Sequence, residues 1–158
     1  MSTNYRICDE PTPGVLSKFS VNPLWPFLGV MLGGVWLSWP WFLFNAFALG
    51  SPTLRKEIAW FALGVGIAAG IVATILYLNS IDIIHSKSQA QYGLLVLTVW
   101  KLGATYQLYI MQSRTIELYE YFGGKLRNGL LVLVAAFYFR EQILNAIAPN
   151  VFASLVLS

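Results

Sequence analysis

The sequence predicts an all-α membrane protein, a polytopic helical bundle of about four transmembrane helices arranged as two hairpins. Composition gives the first reason. Hydrophobic residues make up 57% of the 158 and charged residues only 11%, whereas an average soluble domain is about 25% charged. A soluble chain this short would leave large apolar patches in water. The second reason is a mean hydropathy of +0.63. The third is pattern: apolar stretches recur between polar connections. At about 1.5 Å per helical residue, roughly twenty residues cross a hydrocarbon core of about 30 Å.

Residues 1–22 form a polar tail with Asp9, Glu10 and breaks at Pro11, Pro13 and Gly14. A signal peptide would open with basic residues, a short apolar core and a small-residue cleavage site, so this tail is expected to stay in the mature protein. Residues 23–158 read as one transmembrane domain with spans at about 24–49, 58–78, 92–111 and 128–148.

The first span holds Trp25, Trp36, Trp39 and Trp41, with Pro26 in its opening turn and Pro40 further in. Pro26 costs nothing there, and Pro40 is expected to kink the helix or mark its exit from the hydrocarbon. Gly50 suits a left-handed C′ position, Ser51 an N-cap and Pro52 a first helical residue, which together predict a tight helical hairpin. The second span carries no charge. Its Ala59, Ala62, Gly66, Gly70 and Ala73 recur at three- and four-residue steps, and the first span carries Gly29 and Gly33. Small residues let helix backbones approach in lipid, so spans one and two are expected to pack through these faces. Homodimerisation through the same strip is the alternative.

Asn79 to Gln91 is a polar connection expected to be partly an interfacial helix. The third span is interrupted by Lys101, with Gln107 following, and residues 112–128 read as a polar linker broken at Gly123-Gly124. The fourth segment has eleven apolar residues, Gly129 to Phe139, before Arg140, Glu141 and Gln142. No Gly or Pro interrupts 130–148, so one continuous helix containing a polar step is expected, because a bare turn in lipid is expensive. The apolar tail from Val151 is expected to dock on the bundle.

Net charge is +3, yet no Lys/Arg cluster exceeds Arg55-Lys56. Without a basic stripe, nucleic acid is not an expected partner. One Cys (Cys8) and one His (His85) can complete neither an intrachain disulfide nor a four-ligand zinc site, and no cofactor is expected. No nucleophile-elbow, zinc-protease, phosphate-loop or dinucleotide motif occurs. Asp82 and His85, three apart, would share a helix face as a polar boundary pair, and Glu117 and Glu120 a solvated one. Most aromatics fall near span ends, where amphipathic rings favour the headgroup layer; Trp36 and Trp100 lie deeper, as packing residues.

Lys101 is the most informative residue, since a mid-span Lys costs on the order of 3 kcal/mol to insert. Glu141 is its expected partner, at a depth differing by about 5 Å if the last two spans are antiparallel. Gln107 and Arg140 complete the candidate cluster. The expected function is non-enzymatic: a small membrane subunit or assembly factor working by helix packing, with the bilayer and another membrane protein or its own copies as partners. A small oligomeric transporter or channel using Lys101, Arg140 and Glu141 is the main rival, and a lipid-handling enzyme using Asp82 and His85 a third reading. A bacterial inner membrane is the expected location. Counting Lys and Arg by connection places the loops after spans one and three in the cytoplasm and both termini outside.

Overall fold

Gly33 and Gly34 decide the path of the first apolar stretch. Gly34 takes φ +105°, a conformation open to glycine and strained for residues with a Cβ. The stretch therefore divides into α1 (Leu24–Leu32) and α2 (Val35–Leu49). The two fold back on each other: a Cβ built at Gly29 would lie 2.8 Å from the Ser38 hydroxyl, nine residues on. The turn satisfies its own polar groups. The Gly33 and Gly34 N–H groups both donate to the Gly29 carbonyl. The Trp36 indole N–H donates to the Gly33 carbonyl at 2.7 Å, and the Ser38 hydroxyl to that of Gly34. The expected single first span is thus replaced by a helical hairpin. Pro40 does not break the chain, lying inside α2 with its ring exposed.

The structure, a computed structural model, describes residues 11–148 and 150–158. Arg6, Cys8, Asp9 and Glu10 lie outside the described residues, so the readings made for them stay with the sequence. Gly50 ends α2 in the left-handed conformation, φ +58°, as its sequence position predicts. The Ser51 hydroxyl accepts from the Thr53 N–H, and Thr53 rather than Ser51 precedes α3 (Leu54–Ser80). A loop follows in which Asp82 is left-handed, so Asp82 and His85 do not share a helix face. Ser86 and Gln89 form a capping box that starts α4 (Lys87–Tyr121). This helix absorbs most of the expected linker and ends before Gly123, φ +86°.

The last segment is bent rather than continuous: α5 (Leu130–Tyr138) and α6 (Arg140–Ile147) meet at 69°. Packing explains the break. Leu133 and Ala136 are buried against Gly29 of α1 and Gly33 of the turn that follows it, holding α5 on the hairpin, while α6 buries no residue fully. Finally α7 (Val151–Leu157), capped by the Asn150 side chain, docks through Val156 on Ala68 and Val72 of α3.

Among the described residues all regular structure is helical. Two helices, α3 and α4, are long and apolar enough to cross a membrane, and the bent pair α5–α6 is a third if it counts as one span. Contacts also place the segment before α1 beside the α2 C-terminus. Gly14 N–H donates to Ala48 O, Asn45 pairs with both backbone groups of Val21, and Arg127 N–H donates to Ser20 O. One end of the bundle therefore gathers Lys18, Arg55, Lys56, Arg114, Lys125 and Arg127; the other end, around the α3–α4 loop, carries Lys87.

Candidate functional site

Three features stand apart from ordinary apolar packing. The first is a buried polar knot at the cation-rich end. Glu57, in the first turns of α3, is fully buried. Its Oε1 accepts from the Ser51 and Thr53 hydroxyls, both at 2.7 Å, and its Oε2 from Gln112 Nε2 at 2.6 Å. Gln112 also donates to the Phe42 carbonyl, tying α4 to α2 and α3 together. Thr115 closes the group through Ser51. Sequence reasoning left Gln112 in a linker and gave Glu57 no role. The available signal was spacing: Glu57, Gly64, Ala68 and Val72 recur at seven and four residues and form the buried stripe of α3.

That stripe sets the rotation of α3. Gly64 meets the Trp39 indole, and its carbonyl accepts from Trp100 Nε1 of α4 at 3.1 Å. Trp39 in turn donates to the Thr105 hydroxyl at 2.8 Å. Two residues on, Gly66 lies about 200° round the helix and faces out. The expected packing of spans one and two through Ala59, Ala62, Gly66, Gly70 and Ala73 does not occur, because burial of Glu57 turns that strip away from α2. All five are exposed, and nothing lies within 4 Å of a Cβ built at Gly66 or Gly70. Gly29 and Gly33 do pack closely, against α2 and α5 rather than α3. The outward strip is the second feature, continuing into a shallow groove with Gly93 and Val96 of α4.

The third is a cavity of about 500 Å³ between α1, α4, α6 and α7. Lys101 and Arg140 both line it; Lys101 is 7% exposed and Arg140 half-buried. Lys101 Nζ donates to the Leu155 carbonyl at 2.6 Å. A cation there satisfies an orphan carbonyl at the negative end of α7. Glu141, the partner expected from sequence, is exposed on α6 instead. Its neighbour on the same helix, Arg140, lines the cavity. Gln107 falls in a different cleft, beside Lys56 and Arg114. Of the four candidate cluster residues the fold thus unites Lys101 and Arg140 and disperses Gln107 and Glu141. Among the described residues no group of three or more His, Cys, Asp or Glu gathers as a metal site.

No family model, curated protein or solved structure matches the chain.

Proposed function

We propose that this protein is a non-enzymatic membrane subunit or assembly factor that receives a partner transmembrane helix on the outward face of α3. The observation behind this reading is the exposed strip of Ala59, Ala62, Gly66, Gly70 and Ala73, open to close backbone approach. Helices in lipid gain association energy from dispersion and interhelical hydrogen bonds, both of which small residues permit. The rest of the molecule supports that role by holding α3 in one rotation through the Glu57 knot.

In a bacterial inner membrane the cation-rich end faces the cytoplasm. Among the described residues, six cations at one end against one at the other support this orientation, in which the segment around Lys18 would lie inside. The loop tally from sequence favours the outside for that segment. The experiment is gentle extraction from native membranes and native mass measurement, for the wild type and for Gly66→Leu with Gly70→Leu. A stoichiometric second protein, lost from the double variant while the helical content stays unchanged, is the expected result. A second protein retained equally by both would sink the proposed face. A homo-oligomer dissolved by the same variant would keep the face and make the partner another copy.

A rival reading, a small oligomeric transporter or channel, draws on the Lys101–Arg140 cavity but loses Glu141 to the surface. Ion flux in liposomes that vanishes on Lys101→Met would favour it.

A further inference from the structure

We propose that the cavity between α1, α4, α6 and α7 binds an oxyanion, the carboxylate or phosphate group of an amphiphile that enters from the lipid side. Two cations, Lys101 and Arg140, line this space with Ser158 beside them, and among the described residues no Asp or Glu side chain does. Lys101 lies near the middle of α4, at the depth where an uncompensated charge is most expensive. Its bond to the Leu155 carbonyl uses one of three N–H donors and brings only the partial charge of a helix end, not a full counter-charge. Buried charges are ordinarily paired, and a guanidinium adds the planar fork that fits carboxylate and phosphate oxygens. An anion between the two side chains supplies the missing partner.

The remaining wall argues for an amphiphile. Leu97, Leu102 and Leu155 line the cavity, while Met31, Leu94 and Thr98 are exposed at its mouth, on surfaces that face hydrocarbon in a membrane. A charged head reaching the cations leaves an alkyl chain lying along these apolar side chains. The site is separate from the α3 strip and does not depend on the proposed partner helix.

The test uses the full chain in nanodiscs of zwitterionic phosphatidylcholine, with oleate, phosphatidylglycerol or inorganic phosphate added in separate arms. Native mass spectrometry reads what remains bound. Oleate or phosphatidylglycerol is expected on the wild type, with retention falling at least about tenfold, or about 1.4 kcal/mol, in Arg140→Gln and in Lys101→Met. Should Lys101→Met fail to fold, Arg140→Gln decides. Leu94→Trp, which fills the mouth without touching either cation, is expected to expel the amphiphile too. Inorganic phosphate held by the same two cations, with neither amphiphile retained, keeps the oxyanion site and overturns the amphiphile as its source. Anionic lipid attracted merely to the cation-rich end would be insensitive to Arg140→Gln. That insensitivity, equal retention of phosphatidylcholine, or no retained anion in any arm overturns the proposal.

Discussion

Replacing Gly64 by Ala tests the rotation of α3 directly. The new Cβ would lie 2.9 Å from Trp39 Cη2 and 3.2 Å from Cζ3. The indole has little freedom to retreat. It is 2% exposed, bonded to Thr105 at 2.8 Å, and packed edge-on to Phe61 at 6.1 Å. Inserting a methyl group into such a contact costs about 1–3 kcal/mol. Replacing a helical glycine by alanine by itself gains up to about 1 kcal/mol. Gly66→Ala carries the gain without the clash, so the difference between the two variants isolates the contact, at about 1–3 kcal/mol. Reversible unfolding in mixed micelles, followed by helical content, measures both. In a Trp39→Phe background, which removes the clashing ring atoms, the penalty of Gly64→Ala should largely vanish. Equal stability of Gly64→Ala and Gly66→Ala, or a larger loss at Gly66, would refute the assignment of the inward and outward faces.

Glu57→Ala should destabilise by about 2–5 kcal/mol, three buried hydrogen bonds on the transmembrane scale, with Glu57→Gln costing less because it keeps the shape; the same unfolding assay decides, and a neutral Glu57→Ala would show that the knot does not hold the helices. Gly34→Ala forces a side chain into an extended positive-φ conformation, φ +105° and ψ 174°, that is essentially restricted to glycine, at a cost of about 1–3 kcal/mol. Its Cβ would also lie within 2.9 Å of the Leu157 and Ser158 carbonyls, so limited proteolysis should release residues 150–158 sooner, and unchanged cleavage would count against the turn. For orientation, Val15→Cys and Ser80→Cys in a Cys8→Ser background should label oppositely with an impermeant thiol reagent. Ser80→Cys is expected to react in intact cells and Val15→Cys after lysis, and the reverse pattern would invert the molecule.

Much of the secondary structure was legible because it depends on neighbours in sequence. The charge-free run of α3, the glycine C′ position after Leu49 and the break at Gly123-Gly124 are local signals, and the structure carries each of them. The first helix break was misplaced for a definite reason. Proline advertises a kink, yet an exposed Pro40 ring at the hairpin surface is tolerated, whereas Gly33-Gly34 adopts its turn only because Trp36 and Ser38 satisfy the freed carbonyls. The bend after Tyr138 was missed because nothing in 130–148 breaks a helix by propensity. Packing on α1 captures one half and not the other.

By itself, then, the sequence determined the helical class of this protein and the apolar runs that fit a membrane. Apolar content and run length leave a helical membrane chain as the economical reading, and the residue inventory removes the common catalytic and metal motifs. Tertiary structure alone decided which side of each helix is inside. Lys101 could be recognised as costly from its position, but its neighbours are a carbonyl of α7 and the guanidinium of Arg140, both remote in sequence. The small-residue strip was equally visible, and its direction was not. A helix face has no intrinsic inside in lipid, where both sides are apolar, so the choice falls to the few polar groups that must find partners. Here burial of Glu57 by Ser51, Thr53 and Gln112 makes that choice, turning Gly64 inward to Trp39 and leaving Gly66 and Gly70 on the surface.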